Sequence, residues 1–303
     1  MLRTIKKHIY TYLSRKYMDG CSNYNSLDVR RSSRSKAQGR AMFEKHDLPH
    51  ARGDIFFSPL KALRFAEKHG YPLVVKPNVS GYSRGSHFPI NNKKELWKAA
   101  LMVKVWWPTS VIEQYLLGSN YRALTTTDEI ISVIRRYPPF VDGNGKDTID
   151  KLIDDENATR EAMQLHPVIY PIKKSPDIQG HLKRHDMTLE TVPGDGERVY
   201  LFNRVALAPG GIVESIKSED VHPDNKELLQ RVVTVFGANV LGIDIIFEHG
   251  IEQSYKTQRC ILLEVNSRPY MKMHDVPRYG EKHDLSDFYS KMNSLEIADA
   301  DIF

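Results

Sequence analysis

Several protein classes are excluded by what this chain has little of. Two cysteines in 303 residues cannot build a disulfide framework, and so sparse a use of cysteine suits a reducing cytosol. Cys21 and Cys260 stand in no spacing that suggests a metal site or a nucleophile. No apolar run approaches the roughly 20 residues that span a bilayer. The first twenty residues hold no continuous apolar core, so no secretory signal is expected and the expected location is cytoplasmic. There is no internal repeat and no low-complexity tract. The excess of one charge sign is also small, at a net +5. That balance fits an anionic small-molecule ligand and argues against specific nucleic-acid binding.

What is present is a soluble globular composition, 41% hydrophobic and 27% charged, long enough for one large or two medium domains. Leu2, Ile5, Ile9 and Leu13 form one helical stripe with Lys6, Lys7, Arg15 and Lys16 around it. It reads as a helix packed on its own domain, or as a membrane-surface or partner-docking helix. The run Cys21 to Arg40 reads as a linker entering a basic helix. A helix is expected over 35–46, a strand near Gly53–Phe57, and a helix over Pro59–His69 with Ser58 as cap, Leu60, Leu63 and Ala66 inward and Gly70 at its end. Further helices are expected over 92–103, 148–155 and from Pro223 through Phe236. Ser110–Gly118, Tyr121–Thr125, Ile130–Ile134 and Val199–Ala208 read as extended, while 160–197 shows little regular signal. Trp97, Trp106 and Trp107 are expected to pack the smaller lobe. Helices interleaved with strands of different kinds point to α+β lobes around one cleft.

Two stretches carry chemistry. Gly242-Ile-Asp-Ile-Ile-Phe247 and Ile261-Leu-Leu-Glu-Val-Asn-Ser-Arg-Pro269 are apolar runs of strand length interrupted by Asp244, Glu264 and Asn266. Glu264 and Asn266 are two apart and so share one face of a strand. Buried carboxylates need a compensating cation, and two carboxylates with an amide oxygen suit a hard divalent ion such as Mg²⁺. The alternative is a pair of strand-end acids bonded to backbone amides or to an arginine. Upstream, Tyr71-Pro-Leu-Val-Val-Lys-Pro77 places Lys76 at the end of a short strand, before the small polar loop Asn78–Ser86. Such a loop lays backbone amides on a phosphate, although most loops of this kind are ordinary turns.

Six motifs occur in order: Tyr71-Pro-Leu-Val-Val-Lys-Pro77, Val111-Ile-Glu-Gln-Tyr-Leu-Leu-Gly-Ser-Asn-Tyr-Arg122, Asp142-Gly-Asn-Gly-Lys-Asp-Thr-Ile149, Gly210-Gly211 with His222-Pro223, Gly242-Ile-Asp-Ile-Ile246, and Glu264-Val-Asn-Ser-Arg-Pro-Tyr-Met-Lys-Met-His274. On these the chain, from about Lys36 to Gly280, resembles the ATP-grasp ligases, and among them the ATP-grasp domain of cyanophycin synthetase and bifunctional glutathione synthetases. The resemblance implies an α+β ATP-grasp fold, two lobes gripping ATP, without a full N-terminal substrate domain. It implies a basic helix and linker over 1–33, a small lobe over 34–110 and a large lobe over 111–303. It implies a carboxylate–amine ligase working through an acyl-phosphate and releasing ADP.

The same resemblance assigns roles to residues. Lys36 and Lys76 would hold phosphates, Ser80, Gly81, Arg84 and Gly85 would belong to the lid, and Glu113, Gln114 and Tyr115 would meet the nucleotide at the hinge. Asp244, Glu264 and Asn266 would hold two Mg²⁺ ions, with Mn²⁺ as the alternative, and Arg268 would face the developing charge. Arg122, Arg136, His274 and Arg278 would stand on the substrate side. Departures from the pattern are Leu117 in place of a second hinge acid, and Phe202 and Ala206 where relatives carry Arg and Asn. Arg204, two residues on from Phe202 along a strand, would face the same side and substitute. Arg135-Arg136 in place of Glu-Arg suggests a more anionic substrate. His222 flanks the cleft as either a site residue or a structural histidine. Expected partners are a small carboxylate and an amine, an amino acid or peptide, with a partner protein supplying the substrate domain and a homo-oligomer as further options. A catalytically weak nucleotide-binding module and a kinase of the same fold are the alternative functions.

Overall fold

The computed structural model describes residues Ile5, His8, Ile9, 24–33, 35–79 and 85–293. Ile5 and Ile9 are helical and exposed, while the rest of the basic N-terminal stripe lies outside the described residues. Eleven strands appear among these residues: β1 Gly53–Phe56, β2 Leu73–Pro77, β3 His87–Ile90, β4 Ser110–Gln114, β5 Ser119–Thr126, β6 Ile130–Tyr137, β7 Phe140–Asp142, β8 Arg198–Tyr200, β9 Ile212–Ile216, β10 Val240–Phe247 and β11 Cys260–Asn266. The chain divides into two compact units. One comprises Met1–Val133, Lys217–Met271 and Leu285–Phe303, the other Ile134–Ile216 and Lys272–Asp284.

The first unit holds a four-stranded sheet in the order β1-β4-β2-β3. The helices Pro59–His69 and Lys93–Met102 are part of its core, which is built from Phe56, Leu63, Phe65, Leu73, Val75, Leu96 and Ile112. Local chemistry sets where both helices begin. Ser58 accepts from the Leu60 amide at 3.3 Å ahead of Pro59, and Asn92 accepts from the Glu95 amide at 2.9 Å while Glu95 returns to the Asn91 amide at 2.8 Å. Each arrangement satisfies amides that the first helical turn leaves open.

The same unit contains β11, β10 and β5 side by side, all antiparallel. The helix Pro223–Phe236 buries Leu228, Leu229, Val232, Val233 and Phe236, the spacing of one helical face. Phe236 meets Phe43 of the helix Lys36–Lys45 edge-on at 5.9 Å between centroids. Asn25 joins distant segments of this unit. Fully buried, it donates to the carbonyls of Val240 at 2.7 Å and Ser267 at 2.8 Å and accepts from the Asn239 amide at 2.9 Å.

In the second unit, β7 pairs with β8, and the helices Ile149–Ala162 and Pro176–Lys183 share a core with them through Val141, Ile149, Ile153, Ile178, Leu182 and Val199. Buried Arg160 bonds Glu156 at 2.8 Å and the carbonyls of Tyr170 and Gly210 at 2.7 and 2.9 Å. That one side chain therefore ties three segments together.

Several local expectations are corrected. The helix expected over 148–155 runs on to Ala162, and the featureless stretch 160–197 contains Pro176–Lys183, started by Ser175 and by proline in its first turn. The strand expected over 199–208 ends at Tyr200, and 201–208 is irregular. β8 has only the three-residue β7 as a ladder partner, and an extended segment without a partner does not persist as a strand. Leu60 is exposed, because the buried face of its helix is Ala62, Leu63, Phe65 and Ala66 and 100° per residue turns Leu60 away from it. Trp97, Trp106 and Trp107 are exposed rather than packed in the core. Residue volume alone does not reveal that the sheet core is already filled by leucine, valine and phenylalanine.

Replacing Asn25 by Ala leaves two carbonyls and an amide of the first unit without this partner. The expected loss is about 2 kcal/mol or more of unfolding free energy, measured by urea denaturation.

Candidate functional site

Register determines which side chains meet. Asp244 on β10 lies opposite Glu264 on β11 and opposite Arg122 on β5, and Gly242 lies opposite Asn266. Cross-strand partners share a face, and so do residues two apart, so Arg122, Asp244, Glu264 and Asn266 stand on one face. Gly242 keeps the face open there, since a Cβ on it would come within 2.9 Å of the Pro269 ring. Arg122 grips Asp244 with both ends of its fork, Nε to Oδ1 at 2.5 Å and Nη2 to Oδ2 at 2.7 Å, and both residues are buried. Glu264 is more open, its side chain 36% exposed, and Lys36 Nζ lies 3.8 Å from its Oε2. Asn266 uses its amide nitrogen toward the Gly242 carbonyl at 3.5 Å.

A second group of charges stands on the small sheet. Lys76 on β2 and Glu113 on β4 share a face, because Val74 pairs with Glu113 and Lys76 with Val111. They form a buried ion pair, and Arg40 approaches the other Glu113 oxygen at 3.7 Å. Asn78 fixes the two lysines relative to each other. Its carbonyl accepts from the Lys36 amide and its side chain from the Ala37 amide, both at 3.1 Å, just beyond the end of β2. Burial, and after it the charge of Lys76, hold the Lys36 ammonium below its usual range against the opposing pull of Glu264, Glu113 and Asp244. Lys36, Lys76, Glu113, Asp244 and Glu264 are thus one electrostatic cluster.

At the hinge, the Gln114 and Tyr115 amides donate to the carbonyls of Arg52 and Pro72, both at 3.0 Å, and Tyr115 stacks on Phe88. Burial raises the Tyr115 phenol, which stays neutral. Leu117 is exposed. Of the lid residues, Ser80, Gly81 and Arg84 lie outside the described residues. Gly85 has φ +71°, and the Trp106 ring would meet a Cβ there at 2.4 Å, so no other residue fits without rearrangement. A cavity of about 300 Å³ lies elsewhere in this unit, between residues 49–52, 114–116 and 255–261. Gln114 and Tyr115 of the hinge line it, whereas Lys36, Lys76, Glu113, Asp244 and Glu264 do not. Cys260 lines it with a buried thiol pushed up to about 12 by desolvation.

The remaining residues belong to the second unit or stand apart. Arg278 holds Glu156 at 2.8 Å, and Glu156 also receives Arg160, so one carboxylate serves two guanidiniums. His274 is fully buried and Arg136 half-buried. Arg204 lies in the irregular segment after β8 with its guanidinium 5.3 Å from the Phe202 ring, so the strand-parity argument for it falls. Arg268 is exposed. His222 caps the helix Pro223–Phe236, its ring accepting from the Asp224 amide at 3.1 Å. Sequence reasoning missed Arg40, and it offered an arginine on these acids only as the alternative reading, without naming Arg122 as the partner of Asp244. The first was visible as an i, i+4 neighbour of Lys36 on one helix, whereas the second needed the β5–β10 register.

Among the described residues no three His, Cys, Asp or Glu side chains gather around one point to hold a metal. The donors offered are two carboxylates and one amide, all oxygen. That set suits Mg²⁺, which keeps waters and takes phosphate oxygens for the rest of its shell. The residues present therefore fit such an ion.

Glu113→Ala strips Lys76 and Arg40 of their shared counter-charge, with an expected loss of about 3 kcal/mol of stability in urea denaturation. At pH 8 the Cys260 thiol is protonated and shielded. Iodoacetamide should therefore leave the Cys260 peptide unmodified in the folded protein and label it once urea unfolds the chain, as read by mass spectrometry.

No protein-family model matches the chain. It is 28% identical over 264 residues to the cyanophycin synthetase of Crocosphaera subtropica, a match covering 86% of this chain and 30% of that protein. The structure of a bifunctional glutathione synthetase from Pasteurella multocida superposes with a TM-score of 0.63 at 22% identity, covering 90% of this chain and 38% of that one. The structure of the ATP-grasp ligase PsnB complexed with a minimal precursor gives a TM-score of 0.51 at 12% identity, covering 89% and 62%. The chain spans about a third of the length of the cyanophycin synthetase and somewhat more of the glutathione synthetase. Its α+β architecture is the ATP-grasp fold, and the chain is a member of the ATP-grasp ligase superfamily.

Proposed function

We propose that the chain is an ATP-dependent, ADP-forming ligase that joins a small carboxylate to an amine. The observation that supports this most is the single face carrying Asp244, Glu264 and Asn266, with Lys36 beside Glu264 and coupled to Lys76. Lys36 and Lys76 would neutralise the phosphates, and the buried ion pair with Glu113 holds the Lys76 side chain in place. Asp244, Glu264 and Asn266 would hold Mg²⁺, which in such a site neutralises phosphate oxygens and so favours attack at phosphorus. Arg268 would lie beside the charge that develops as the γ-phosphoryl group transfers. The carboxylate oxygen attacks the γ-phosphorus and ADP leaves. The amine nitrogen then attacks the activated carbonyl carbon, inorganic phosphate leaves with the acyl C–O bond, and the nitrogen loses a proton to form the amide.

On the substrate side, Arg122 is committed to Asp244. That leaves Arg136, Arg204 and Arg278 as the proposed readers of an anionic group, Arg278 with its geometry set by Glu156. Positioning and charge neutralisation are most of what phosphoryl and acyl transfer ask of a protein. Amino acids or peptides are the proposed substrates, and a homo-oligomer or a partner presenting one substrate is compatible with this reading. No helix among the described residues is long and apolar enough to cross a membrane.

Incubation with ATP, Mg²⁺ and pooled amino acids tests the reading. ADP, phosphate and a new amide by mass spectrometry support it. ADP with a phosphorylated product would make the chain a kinase, and silence would favour the nucleotide-binding module that Leu117, Phe202 and Ala206 allow. Asp244→Asn is expected to lower turnover by about 10²-fold or more, measured as ADP release.

A further inference from the structure

Cations already stand at the carboxylates that would receive a metal. Both oxygens of Asp244 accept from the Arg122 fork, at 2.5 and 2.7 Å. Glu264, its partner across β10 and β11, has Lys36 Nζ at 3.8 Å. Neither contact is an accident of surface rotamers. Arg122 is placed opposite Asp244 by the β5–β10 register, and Lys36 is anchored through its own backbone amide to Asn78. The charged ends are shielded as well, with side-chain exposures of 10% for Arg122, 6% for Asp244 and 11% for Lys36.

Each of the two carboxylates thus already faces a monovalent cation. A divalent ion entering alone would add two positive charges beside a bidentate guanidinium and an ammonium, in surroundings that screen them poorly. A triphosphate changes that balance. Its oxygens are the partners that a guanidinium fork and an ammonium prefer, at charge-assisted strength. As they draw Lys36 and Arg122 across, Asp244 and Glu264 are left with oxygens to give to the metal.

Resting on the reading of this face as a metal–nucleotide site, we infer that Lys36 and Arg122 are internal counter-cations that occupy Glu264 and Asp244 until a nucleotide triphosphate takes them over. Metal therefore enters with the phosphates rather than before them. The two ligands reinforce each other, and by linkage the coupling is the same in either order of addition. Arg122 on this account is a positioning residue for the metal ligands rather than a reader of the substrate.

The test is Mn²⁺ binding to the full chain without nucleotide, followed by the paramagnetic resonance signal of the free ion. Arg122→Met and Lys36→Met should each tighten Mn²⁺ by about tenfold, since each removes a competing cation, and the wild-type chain should gain Mn²⁺ affinity beyond that of the free nucleotide when AMP-PNP is added. Arg122→Met leaves buried Asp244 without its partner, so circular dichroism accompanies it. If that variant does not fold, Lys36→Met carries the same expectation at a more open carboxylate. Unchanged or weakened Mn²⁺ binding in the folded variants, with AMP-PNP and Mn²⁺ still taken up together by the wild type, overturns the inference and leaves the nucleotide site standing. Absence of AMP-PNP uptake by the wild type with Mn²⁺ overturns both.

Discussion

The bidentate pair between Arg122 and Asp244 is the interaction around which the inner wall of the first unit is arranged. It places a full positive and a full negative charge inside a sheet whose neighbouring positions, Ile243 and Ile245, are fully buried, and that is tolerable only when the two are locked together. The same demand repeats nearby. Glu113 holds Lys76 and draws Arg40, and Glu264 has Lys36. The cations come from β5, β2 and the helix Lys36–Lys45, and the acids from β10, β11 and β4. Charge pairing therefore links six elements that are far apart in the chain.

Asn78 is a small residue with a large consequence here. By bonding the amides at the start of the Lys36 helix from the end of β2, it sets the separation between two lysines forty residues apart in sequence. In the second unit Glu156, shared by Arg160 and Arg278, does the corresponding work of holding guanidiniums in one orientation. The ATP-grasp relatives are considerably longer proteins, so the part shared with them is the nucleotide-handling fold.

Much of the fold was legible because it rests on local rules. Ser58-Pro59 and Gly70 bound a helix for reasons that act within one turn, and the apolar runs on either side of Asp244 and Glu264 read as strands by length and composition. The placement of Glu264 and Asn266 on one face followed from strand parity alone. Legibility failed where a neighbour decides. The segment 201–208 has the composition of a strand but no strand ladder beyond Tyr200, and the helix Pro176–Lys183 is short enough that its apolar face made no clear period. The three tryptophans suggested a core that smaller side chains had already filled.

Sequence alone determined most of the elements, the order of the motifs, and the placing of Glu264 and Asn266 on one strand face. Each is a property of residue type, spacing or composition, and none needs a distant contact. Tertiary structure alone decided that Asp244 lies across from Arg122, that Lys36 reaches Glu264, that Glu113 neutralises Lys76, and that His274 is sealed from solvent. The physical reason is register. A shift of one residue between β5 and β10 would send Arg122 to the opposite face and leave Asp244 as an uncompensated buried charge. No single strand carries the information that prevents this, because it resides in how the strands are paired.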